Sequence, residues 1–133
     1  MATMTLSTQE ILKMVNNLIE VDYSAIDAYG AAIDRLDDPL AKTELRGFLG
    51  DHQRHTVELS AYVREIGGTP PTEADYRHML TKGKVVLASI VGDRGVLAAM
   101  KSNEEDTNKA YEAVSYTHLR AHETKANLVC RLL

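Results

Sequence analysis

Between Leu12 and Leu36, large apolar side chains recur at spacings of three and four: Leu12, Val15, Ile19, Ile26, Tyr29, Ile33 and Leu36. That is the period of one face of an α-helix, not of a strand. A helix with an apolar stripe along its whole length must lay that stripe against other helices to leave water. One place in the stripe, midway between Ile19 and Ile26, is taken by a carboxylate, Asp22.

The rest of the chain repeats the pattern, with clear punctuation. Ser7-Thr8-Gln9-Glu10 reads as a capping box, which starts the first helix at about residue 8 and carries it to 36. Asp37-Asp38-Pro39 stops that helix and starts a second, with Asp38 as N-cap and Pro39 in the first turn. The second helix is expected over 39–66, with Leu45, Leu49, Leu59, Tyr62 or Val63, and Ile66 inward; Gly67-Gly68 and Pro70-Pro71 end it. The short link makes these two helices antiparallel neighbours. Thr72-Glu73-Ala74-Asp75 caps a third piece, expected over 72–91 and weakened by Gly83. Gly92-Asp93 breaks it, and a last helix, 93–113, carries Val96, Leu97, Met100, Glu104 and Tyr111 along its stripe. No period-two alternation is present, and only three prolines interrupt 133 residues. The expected fold is all-α, an antiparallel helical bundle forming one domain over residues 1–113.

Polar residues at inward positions carry the chemistry. Asp22 and Tyr29 are seven apart on the first helix, and Glu104 and Tyr111 are seven apart on the last, so each acid shares a face with its tyrosine. His52 and His55, three apart, share a face of the second helix. A bundle with its stripes inward would bring Asp22, His52, His55 and Glu104 toward one axis. An unpaired buried carboxylate costs several kcal/mol, so such acids are normally paired or bound to metal. Two acids and two imidazoles could hold a transition metal with mixed nitrogen and oxygen donors. They could equally satisfy one another as a hydrogen-bonded core network. Tyr29 and Tyr111 read as core residues whose hydroxyls reach a polar partner.

Composition excludes several classes. The formal net charge of −4 offers no basic stripe for nucleic acid and no polybasic cluster for anionic lipid. No run of about 18 apolar residues exists to span a membrane. The N-terminus has no basic start and no apolar core of a secretory signal, so a cytoplasmic setting is expected. The single cysteine, Cys130, leaves no disulfide framework or Cys-based zinc site.

The run Asp22-Tyr23-Ser24-Ala25-Ile26-Asp27-Ala28-Tyr29 resembles the first-helix signature of bacterioferritins and rubrerythrins, acid-x-x-Ala-Ile-x-x-Tyr. His52-Gln53-Arg54-His55 stands in the place of their Glu-x-x-His, and the Gly-Gly-x-Pro turn at Gly67–Pro70 and the Glu-x6-Tyr spacing add to the likeness. The chain, over about 7–113, is similar to an uncharacterised bacterial branch of the ferritin-like superfamily, a four-helix-bundle domain of unknown function. The resemblance implies that Asp22, His55 and Glu104 are metal ligands. It implies iron or another transition metal as cofactor, and iron oxidation or detoxification as function. His52 departs from the pattern, because an imidazole cannot bridge two metals through two oxygens. A mononuclear site suits these residues better than a di-iron one. No residue is assigned a catalytic role. The alternative is a non-catalytic stress-associated or interaction bundle with a structural polar core.

The segment 114–124, VSYTHLRAHET, and the run 128–133, LVCRLL, resemble one reading frame of a sequencing-library adapter. On that resemblance His118, His122 and Glu123 are not ligands, and the chain stops before its authentic fourth helix. Helical faces left uncovered in this way are expected to drive association into a homo-oligomer.

Overall fold

Ser7 closes the N-terminus of the first helix: its side chain accepts from the Glu10 N–H, and Glu10 Oε2 accepts from the Ser7 N–H at 2.8 Å. The computed structural model describes residues 6–77 and 90–121. Among these it contains four helices and no strand: α1 (Thr8–Arg35), α2 (Pro39–Glu65), α3 (Glu73–Arg77) and α4 (Asp93–Ala121). The chain is therefore an all-α helical bundle.

Asp38 caps α2 through the Leu40 N–H at 3.2 Å, with Pro39 at the first helical position. The far end of α2 closes on glycine. Gly67 has φ +90°, the Gly67 N–H donates to Arg64 and the Gly68 N–H donates to Val63. These two bonds form a Schellman cap, which needs the left-handed conformation that glycine reaches without steric cost. Gly68 also has no room for a side chain, since a Cβ there would lie 2.3 Å from Leu12 Cδ2.

The third piece, expected over 72–91, is described only as the single turn and a half of α3. Thr72 and Asp75 cap it reciprocally, the hydroxyl donating to Asp75 Oδ2 at 2.8 Å and accepting from the Asp75 N–H at 3.2 Å. Residues 78–89, with His78 and Gly83, lie outside the described residues, and Ile90 and Val91 are not helical. Helix α4 starts where expected but continues past 113 to Ala121; His122, Glu123 and 124–133 lie outside the described residues.

Helix α1 is the shared partner, packed against α2, α4 and α3. It runs antiparallel to both α2 and α4. Its buried seam is Ile11, Val15, Leu18, Asp22, Ala25, Tyr29, Ala32 and Leu36, alternating spacings of four and three. This corrects the expected stripe: Leu12 and Ile26 are only partly buried, while Leu18, Ala25 and Ala32 lie fully inside. Small alanines allow close approach of a neighbouring backbone, so they carry the seam without the bulk that marks a core position. On α4, Leu97 is exposed rather than inward, and Val96, Met100, Thr107 and Tyr111 are buried.

The core falls into two apolar clusters. One joins Ile11, Val15, Leu18 and Ile19 to Leu59, Tyr62, Val63 and Tyr111. The other joins Ala25, Tyr29, Ala32, Ile33 and Leu36 to Leu45, Val96 and Met100. Each fully buried large side chain contributes about 1.5–3 kcal/mol. Between the clusters on α1 lies Asp22, fully buried at 0% exposure.

Candidate metal centre

Placing a carboxylate between two apolar clusters demands partners for it, and the bundle supplies them from two helices. Asp22 Oδ1 lies 2.7 Å from His52 Nδ1 and 3.7 Å from His55 Nδ1, both on α2. Asp22 Oδ2 accepts from the Tyr111 hydroxyl on α4. The spacing of three along α2 sets His52 and His55 side by side, with ring centroids 6.0 Å apart and planes nearly perpendicular. His52 is 3% exposed, whereas His55 is partly open to solvent.

Glu104 completes the constellation from α4. Its Oε2 sits 3.2 Å from His52 Nε2 and accepts from the Tyr29 hydroxyl at 2.5 Å. Its side chain is 32% exposed, at the edge of an open groove of about 220 Å³. That groove is lined by His52, His55, Glu104, Thr107, Asn108, Tyr111 and Glu112.

All four expected site residues therefore meet. They do not meet equally: one atom each from Asp22, His52 and His55 fall within 4.8 Å of one another, forming a group that could hold a metal ion. Glu104 adjoins that group through His52. The tyrosines cross between helices, Tyr29 of α1 bonding the acid of α4 and Tyr111 of α4 bonding the acid of α1. Sequence reasoning did not find Thr107, Asn108 and Glu112, whose polar character looks like an ordinary solvated helix face. It also passed over Phe48, which stacks on Tyr29 with centroids 6.1 Å apart. Only the positions of the partner helices give these residues meaning.

The electrostatics follow from burial and pairing. Burial alone would raise the Asp22 pKa, but the hydrogen bonds from His52 and the Tyr111 hydroxyl, with the His55 ring nearby, outweigh it and hold the carboxyl below its ordinary 3.8. Burial likewise pushes His52 down, but its two carboxylate partners more than reverse this, so its pKa lies above 6.5. Burial, and the carboxylates they face, push both Tyr29 and Tyr111 well above the ordinary phenol value. Both tyrosines stay protonated and donate.

The donor chemistry fits a borderline transition metal. Two imidazoles and a carboxylate suit zinc, iron or cobalt better than calcium or magnesium, which favour all-oxygen shells. His55 Nδ1 is buried and has no hydrogen-bond partner among the described residues. A buried ring nitrogen facing a carboxylate across 3.7 Å is too far for a hydrogen bond, and that gap can admit an ion.

No helix among the described residues is long and apolar enough to cross a membrane. Neither the curated proteins nor the solved structures give a match to the chain. A family model does match, over residues 10–116, a span that holds Asp22, His52, His55, Glu104 and both crossing tyrosines. The chain belongs to the family described as a domain of unknown function (DUF2383).

Proposed function

We infer that the protein binds one divalent transition metal ion through Asp22, His52 and His55, with Glu104 as an additional donor at the groove. The observation that carries this reading is His55: a buried ring nitrogen with no hydrogen bond, aimed at a fully buried carboxylate. A ferritin-like classification and iron as the natural ion rest on the sequence resemblance, supported by the antiparallel helices and the central position of the site. That step is analogy, because a shared fold does not bring a shared function. Self-association and a cytoplasmic setting belong to the same reading.

A second reading is favoured by His52. Both its ring nitrogens are engaged by carboxylates, so a protonated His52 satisfies Asp22 and Glu104 without any ion. The site would then be a structural network.

His55→Ala separates the two, because His55 contributes no hydrogen bond to the network. On the metal reading, metal-depleted protein takes up one equivalent of Zn²⁺ or Fe²⁺ in calorimetry. His55→Ala then binds at least about tenfold more weakly, roughly 1.4 kcal/mol, with unchanged helicity. No uptake by the unsubstituted chain would leave the network reading standing.

A further inference from the structure

The two oxygens of Asp22 have separate tasks. Oδ1 faces the imidazoles, at 2.7 Å from His52 Nδ1 and 3.7 Å from His55 Nδ1. Oδ2 faces the other way and accepts the hydroxyl of Tyr111. Tyr111 is itself buried, in the apolar cluster with Leu59, Tyr62 and Val63, and its ring lies 5.6 Å from that of His55. It has little freedom to withdraw. Glu104, by contrast, is held at the same Oε2 by both Tyr29 and His52, and its side chain reaches solvent.

We propose that Tyr111 is a positioning residue that confines Asp22 to one-oxygen ligation by occupying its second oxygen. The inference rests on the metal-binding reading of the same site. A carboxylate free at both oxygens can chelate, which raises coordination number and suits larger, flexibly coordinated ions. One oxygen with two imidazoles leaves a low coordination number with a position open to the groove, the arrangement that suits zinc and tetrahedral cobalt. Tyr111 thereby sets which ion the site prefers, beyond holding the helices together.

Cobalt(II) reports this directly, since its visible absorption is intense when four-coordinate and weakens as coordination number rises. The full chain loaded with one equivalent of Co²⁺ should show the intense band. Tyr111→Phe keeps the ring, frees Asp22 Oδ2, and should retain one Co²⁺ with a clearly weaker band. Its preference for Zn²⁺ over Mn²⁺ should fall at least about tenfold, a difference of roughly 1.4 kcal/mol. Tyr62→Phe removes a buried hydroxyl from the same apolar cluster, one that bonds no carboxylate among the described residues, and should leave the intense band and the Zn²⁺ to Mn²⁺ preference unchanged. Asp22→Asn gives a check independent of Tyr111→Phe folding. It keeps one oxygen for the ion and should bind more weakly with the intense band preserved. A Tyr111→Phe spectrum and ion preference equal to the unsubstituted chain's, or a weakened band in Asp22→Asn that still holds one equivalent of Co²⁺, overturns the proposal while leaving the metal site intact. Absence of Co²⁺ uptake by the unsubstituted chain overturns the metal site, and this proposal with it.

Discussion

At the scale of single residues, Asp22 and His52 set the pH response of the metal-free protein. His52 has a folded pKa above 6.5, so its contribution to stability is fully present below that value and is lost as pH rises through the raised one. Asp22 has a folded pKa below 3.8, so its contribution is present above that value and is lost as pH falls through the lowered one. Both contribute fully only between 3.8 and 6.5. Thermal unfolding followed by circular dichroism should therefore show stability declining as pH climbs above 6.5. A thermal midpoint still rising through pH 8 would contradict a charged His52 held between two carboxylates. Asp22, His52, His55 and Glu104 were legible in the sequence because each breaks an apolar stripe or sits where one should continue. The crossing of the tyrosines was not. A spacing of seven places Tyr29 on the face of Asp22, but only the antiparallel run of α4 decides that Tyr29 reaches Glu104 instead.

At the scale of elements, the helix ends follow the sequence closely, since capping chemistry is local. Ser7 with Glu10, Asp38 with Pro39, and the glycine pair after α2 all lie at the termini they announce. The seam of α1 was less legible, because Ala25 and Ala32 are core positions that carry no bulk. A tertiary clamp was invisible altogether. The Asp93 carboxylate, in the first turn of α4, accepts the N–H groups of Asp37 and Asp38 at 2.9 and 3.0 Å and so ties α4 to the α1–α2 turn. The Arg35 guanidinium adds a bond to the Ile90 carbonyl at 2.9 Å. Asp93→Ala should cost about 1–2 kcal/mol in denaturant unfolding, and Asp93→Asn, which keeps one acceptor oxygen, should recover part of it. An Asp93→Ala protein as stable as the parent would mean that the turn holds its place without the clamp.

At the scale of the whole molecule, α1 packs against all three other described helices, and an open groove separates parts of α2 and α4. Large apolar side chains stand exposed on both flanking helices, with Leu40 at 77% and Val57 at 70% on α2 and Leu97 at 38% on α4. Surfaces of this kind favour association. Sedimentation equilibrium over a rising concentration series is expected to show a mass above one chain; a single-chain mass throughout would remove self-association from the functional reading. The crossed tyrosines have a consequence at this scale too. Sliding α4 by one turn, about 5.4 Å, would set Met100 or Asn108 against Tyr29 and Thr107 or Ser115 against Asp22. Both tyrosine–carboxylate bonds would be lost together, one of them fully buried, with only a much shorter hydroxyl side chain in place of the Tyr111 phenol. The apolar faces of α1 and α4 would tolerate several longitudinal alignments, but the paired acid-and-tyrosine spacing admits one. The polar layer thus acts as the bundle's alignment mark, fixing the register in which its helices pack.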